Sequence, residues 1–102
     1  MNRTGNNISL VCYDITSDKL RRKIDKAMKD FGIRIQFSLF LCRLDTDGVI
    51  RCRDKLKKIL HQYHNEKGPD DSLIIFDRIR PEIVDCLLGA RIDREPPRFE
   101  IL

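Results

Sequence analysis

The sequence predicts an α+β domain in which a sheet carries a pair of helices, and three observations lead there. Dense β-branched and apolar runs occur at residues 8–13 (ISLVCY), 33–44 (IRIQFSLFLCRL) and 72–76 (SLIIF). Between them lie two stretches whose apolar residues recur at a helical period. The resulting order, β-α-β(β)-α-β, is the split βαβ or ferredoxin-like arrangement, a βαββαβ sandwich. A chain of 102 residues holds one such domain and is too short for two, so residues 1–102 are taken as a single unit.

Residues 1–7 are a polar lead-in, and the first strand follows, bounded by Asp14. Thr16, Ser17 and Asp18 offer oxygens that can cap a helix N-terminus. Leu20, Ile24, Ala27, Met28 and Phe31 then form one apolar helical face, and Gly32 is expected to stop the helix. Lys19, Arg21, Arg22, Lys23, Lys26 and Lys29 make the opposite face basic. Asp25 and Asp30 interrupt that stripe, which favours a soluble core helix over one lying on a membrane.

The run at 33–44 is roughly twice the usual strand length, so it must bend or fold back as two strands, at a place the residues do not mark. DTDG at 45–48 reads as a turn. Val49, Cys52, Leu56, Ile59, Leu60 and Tyr63 mark a second amphipathic helix, ended by Gly68 and Pro69. After the strand at 72–76, Pro81 breaks the pattern, and residues 83–88 suit a short strand or a helical turn. A charged connector leads to an additional C-terminal strand at 99–102, so that 91–102 is a connector with a pairing segment.

The strands are apolar on both alternating faces, whereas a sheet covered on one side should alternate apolar with polar. Two helices cover one face only. A second copy of the chain is the simplest cover for the other, which predicts a two-fold, sheet-to-sheet homodimer. The segment 99–102 is expected to pair with a partner's sheet edge.

Twenty Lys and Arg against sixteen Asp and Glu give a net charge of +4, a mild basic excess that suits a polyanionic partner and equally a solvated surface. The four cysteines are scattered singly, without Cys-x-x-Cys or zinc spacing, and read as reduced thiols. The N-terminus is polar and no run of about 18 apolar residues occurs, so no membrane association and a cytoplasmic location are expected.

The informative constellation is at the first strand's tip. Asp14 ends the strand, Arg21 and Lys23 lie on the helix beside it, and Arg34 begins the next strand segment. Arg21 and Lys23 are about 100° to 200° apart around the helix and cannot both reach one atom. A carboxylate among cations suits a divalent metal on the acid and phosphates on the bases. One Asp is little for Mg²⁺, which takes one or two carboxylates with waters and phosphate. Two copies of Asp14 near a dimer axis could share an ion. The plainer alternative is that Asp14 caps the first helix or pairs with a neighbouring Arg.

LVCYDI, then LRRKI, FGIRIQFSLFLCRL and DSLIIF, together resemble the CRISPR-associated endoribonuclease family, the small ferredoxin-like subunit of the spacer-acquisition complex, from residue 8 to about 90. The resemblance implies a symmetric dimer that binds prespacer duplex DNA, bridges dimers of the CRISPR integrase subunit, and cleaves RNA or DNA with Mg²⁺ or Mn²⁺, single-stranded RNA included. It places the family's metal-binding aspartate on Asp14 and the adjacent catalytic tyrosine on Tyr13. The family's basic positions fall on Arg21, Lys23 and Arg34, and its motif's last aromatic on Phe40. Lys23 stands where the family has Arg and loses bidentate phosphate geometry. Phe37 stands where it has Tyr. An architectural DNA-bridging subunit without catalysis and a related toxin-type ribonuclease are the rival expectations.

Other signals carry less. DTDG as part of a calcium loop would put Arg43 at the first ligand position. His61 and His64 lack a third ligand nearby. The aromatic signatures of RNA-recognition motifs are missing. Runs such as RCRDKLKK are ordinarily solvated helix faces.

Overall fold

A computed structural model describes residues 7–85. The elements are β1 (Ile8–Asp14), α1 (Asp18–Met28), β2 (Ile33–Gln36), β3 (Leu39–Cys42), α2 (Thr46–Gln62) and β4 (Ser72–Ile79). Single 3₁₀ turns lie at His64–Glu66 and Pro81–Ile83. The order is βαββαβ, as expected, and the four strands form an antiparallel sheet in the order β2-β3-β1-β4. The additional C-terminal strand lies outside the described residues.

Ser17 caps α1, its hydroxyl accepting from Leu20 N at 3.2 Å. Leu20, Ile24, Ala27 and Met28 are buried beneath the helix. The helix ends at Met28 with Lys29 as its cap, earlier than Gly32. Gly32 serves a different purpose: a Cβ there would stand 2.3 Å from the Leu41 carbonyl oxygen, so only glycine lets the chain pass β3 at that distance.

The long run folds back at Phe37 and Ser38, between β2 and β3. Ser38 holds a left-handed φ of 64°. Without Gly, Asn or Asp at the bend, the sequence hides it, at a conformational cost of about 1–2 kcal/mol. DTDG is the start of α2 rather than a separate turn, because the Asp45 carboxylate accepts from Gly48 N at 2.7 Å and caps the helix. α2 closes at Gln62, well before Gly68 and Pro69. Gly68 instead donates to Asp71 at 2.7 Å. Asp71 also accepts from Thr16 N (2.9 Å) and Thr16 Oγ1 (2.8 Å), tying this loop to the β1–α1 connection.

β4 runs to Ile79, three residues past Phe76. Its end is irregular: Asp77 Oδ1 accepts from Ser9 Oγ (2.9 Å) and Arg78 N (2.8 Å), and Arg78 has φ 56° where the β1 register shifts. Of residues 83–88, Ile83 closes the last 3₁₀ turn and those past 85 lie outside the described residues.

Val11, Tyr13, Phe40 and Cys42 face the helices and pack with Leu20, Ile24, Met28, Cys52, Leu56 and Ile59 in one core. Burial pushes the thiols of Cys42 and Cys52 up to about 12 and about 11, so both stay protonated. The three described cysteines are free thiols, as expected.

The sheet's other face carries no described helix. Strand alternation and register place Leu41, Leu10 and Phe76 in one row across it and Leu39, Cys12 and Ile74 in the next. Ile74 and Phe76 are each 46% exposed. The two-sided apolar character expected of these strands is therefore present. No described helix is long and apolar enough to cross a membrane.

Candidate functional site

The alternation of β1 sends Tyr13 toward the helices and Asp14, one residue on, to the helix-free face beside Ser72. Asp14 is exposed, and among the described residues its side chain has no hydrogen bond or salt bridge. Both plain uses of this carboxylate are filled by other groups. Ser17 caps α1, and among the described residues Asp18 pairs with Arg21 and Asp25 with Arg34.

Tyr13 belongs to a closed cycle of side chains behind the strand tip. Its hydroxyl donates to Asp25 Oδ1, and Asp25 Oδ2 is 3.2 Å from Arg34 Nη2. The Arg34 guanidinium lies 5.4 Å from the Phe40 ring centroid, and Phe40 stacks on Tyr13 at 6.4 Å and 16°. Burial first, and then the bond to Asp25, push the Tyr13 phenol well above its usual range, so it is a neutral donor and not a base.

Arg21 stands at the hairpin end of the site. It donates to the Ile15 carbonyl at 3.4 Å, pairs with Asp18, and lies 5.6 Å from the ring of Phe37, which is 73% exposed. Tyr13 N donates to Ser38 O at 3.1 Å, stitching that turn to the tip of β1. Lys23 is turned away. Its ammonium lies 5.8 Å from the Tyr63 ring on the α2 side, next to Lys19 at 5.9 Å from the same ring. The structure thus joins Tyr13, Arg34 and Phe40, sets Arg21 at the neighbouring turn, and separates Lys23 from them.

Comparison with known proteins decides the family. The model described as CRISPR associated protein Cas2 matches residues 7–80. The chain belongs to the Cas2 family. A relative named CRISPR-associated endoribonuclease Cas2, from Korarchaeum cryptofilum, is 37% identical over 75 residues, covering 72% of this chain and 74% of that protein. A Synechocystis protein of the same family name is 32% identical over 88 residues, 86% of this chain and 85% of the relative. Among solved structures, a hypothetical protein from Thermus thermophilus superposes with TM-score 0.59 at 30% identity, covering 72% of this chain and 82% of that one. Streptococcus pyogenes Cas2, at 24% identity and TM-score 0.54 over 68% and 82% of the two chains, shares the fold. The resemblance read from the sequence is thereby established at the level of the family.

Within this candidate site, Asp25 is the residue that sequence reasoning missed. It served there only as a break in a basic stripe, yet it holds both Tyr13 and Arg34. Two signals were available: it follows Arg21 by four residues, hence on the same helical side, and it adjoins buried Ile24 at the border of the apolar face. As for metals, Asp14 offers an exposed, uncommitted oxygen donor of the hard type that Mg²⁺ or Mn²⁺ takes, so the donor chemistry fits. No described group of three or more His, Cys, Asp or Glu could hold an ion within one chain. His64 Nδ1 contacts the His61 carbonyl at 3.1 Å, and the two rings lie 6.4 Å apart.

Proposed function

We propose that this Cas2-family chain acts as a sheet-to-sheet homodimer that binds nucleic acid in CRISPR adaptation, bridges integrase dimers, and carries a metal-dependent endoribonuclease or endonuclease site at paired Asp14 residues. One observation carries the reading. The uncommitted carboxylate of Asp14 projects from the same sheet face as the apolar rows of Leu10 with Phe76 and Cys12 with Ile74, so the surface that would join two chains also carries the acid. The curated relatives bear the name endoribonuclease, which supports the activity.

In this reading the two Asp14 carboxylates, one from each chain, would hold Mg²⁺ or Mn²⁺, whose chemistry there would be to lower the pKa of a water and offset charge on the phosphate. Arg21, at the exposed turn, holds a phosphate oxygen by exchanging its contact with Asp18 for one with substrate. Arg34 and Phe40 act one layer back: Arg34 through Asp25 and Phe40 by stacking fix Tyr13, and through the backbone of β1 they fix where Asp14 points. Tyr13 positions and does not take the proton, since its phenol is held neutral.

The test is RNA cleavage by the purified chain with Mg²⁺, compared with Asp14→Ala. Cleavage should fall to background in the variant and in EDTA. Cleavage that persists in Asp14→Ala would assign it to another site and defeat the nuclease reading.

A second reading has its own support. Arg21 and Arg34 are both engaged by carboxylates, and Tyr13 is unfit as a base, which favours an architectural DNA-bridging subunit. Wild-type protein that retains duplex DNA and an integrase yet cleaves nothing with Mg²⁺ would establish it.

A further inference from the structure

Phe37 sits at the turn between β2 and β3 and has no role in the chemistry proposed above. Among the described residues it is the most exposed of the large apolar side chains. The turn fixes it in that position. Buried Ser38 keeps its left-handed φ of 64°, and its carbonyl accepts from Tyr13 N at 3.1 Å. Phe37 and Asp14 each lie one residue from that bond, on strands about 4.8 Å apart, so the ring stands beside the strand tip that carries the acid.

An exposed ring contributes little burial, and the left-handed backbone beside it is unfavourable for Ser, so folding alone does not account for the arrangement. The Arg21 guanidinium lies over the ring, 5.6 Å from its centroid, and holds it by cation–π attraction. Arg21 belongs to α1, so a dimer formed through the helix-free face leaves this ring uncovered. Nor is Phe37 part of an apolar patch: Gln36 is exposed, and Ile74 and Phe76 are on β4, at the opposite edge of the sheet. A protein partner needs about 800 Å² on each side, whereas a nucleobase needs one ring face.

We propose that Phe37 is a stacking platform for an unpaired nucleobase of the strand held at Asp14, so that the site selects single strands or splayed ends over the interior of a duplex. This role rests on the nucleic-acid reading of the Asp14 site and specifies the state of the strand it takes. Inside a duplex both faces of a base are covered by its neighbours, and only an unstacked base can offer a face to the ring. The contact tolerates any sequence, because every base has a π face. Ring and acid divide the substrate between them: Asp14 meets the backbone and Phe37 the base.

The experiment measures binding of three fluorescein-labelled ligands to the full chain by anisotropy, in EDTA. They are a single-stranded oligodeoxyadenylate, an abasic strand with the same number of phosphates, and the oligodeoxyadenylate annealed to its complement. Phe37→Ala should weaken binding of the first about five- to a hundredfold and leave the other two unchanged. Phe37→Tyr, which keeps the ring, should bind all three as the wild type does. The position is exposed and should tolerate both changes, which far-UV circular dichroism checks. Equal losses on all three ligands overturn the proposal, because the base would then not be what the ring meets, and so does the absence of loss on any. Phe37→Ala that binds the strand normally but sediments as separated chains also overturns it, since the ring would be a protein contact. EDTA silences metal-dependent cleavage, so the two readings fail separately. If Phe37→Ala binds normally while Asp14→Ala abolishes cleavage, the platform falls and the nuclease reading stands.

Discussion

Phe40 and Phe76 lie on opposite faces of one sheet. Phe40 is 1% exposed, stacked on Tyr13 under the helices; Phe76 is 46% exposed in the row that crosses Leu10. Their side chains are identical, but one is enclosed by the chain's own helices and the other waits on something the described residues do not supply. The covered face is a folding surface and the helix-free face is the one proposed to join two chains, although in sequence both look like the same apolar strand.

Three substitutions break or sharpen that contrast. Phe40→Ala should have the largest effect, lowering unfolding stability by about 3–5 kcal/mol in a urea titration, because it leaves a cavity among Tyr13, Arg34 and the helices. Phe76→Asp should leave the far-UV circular dichroism intact and shift sedimentation to a single 12.0 kDa particle, since it places a charge in the middle of the proposed seam. A fold lost outright in Phe76→Asp would show that both faces belong to the monomer's core.

The smallest effect is titrational. Tyr13, Cys42 and Cys52 all hold their protons more tightly folded than unfolded, so their contribution is complete at neutral pH. It is lost as pH climbs past the ordinary thiol value of 9.0 and then the ordinary phenol value of 10.0. Stability should therefore decline on the alkaline side. Tyr13→Phe should cost about 1 kcal/mol at pH 7 through the lost bond to Asp25, and should remove the part of the decline that starts near the phenol value, as read by denaturation at a series of pH values.

How much of this was legible in the sequence follows from the range of the forces involved. The order of elements, the helix-facing residues and the second apolar face were readable because burial imposes a period on the chain. The bend at Ser38 was hidden, since no residue there favours a left-handed backbone and only pairing in the hairpin holds it. DTDG misled because Asp and Gly serve turns and helix starts equally, and only the Asp45 bond to Gly48 separates the two. At the site, Tyr13 and Asp14 were found as neighbours, but their division between two faces required the register with β4. Asp25 escaped because its partners come from other elements, β1 and β2, and only the packing of α1 on the sheet brings them together. Lys23 was kept with Arg21 because both lie in the first turns of the helix and at family basic positions, and the angle between them, already read from the sequence, turns Lys23 to the Tyr63 ring instead.

The placement of Asp14 has one more consequence. An ion gripped by carboxylates from two molecules obeys second-order mass action, so in the proposed arrangement the cutting centre exists only in proportion to the assembled pairs. Dilution would then switch off hydrolysis without any inhibitor.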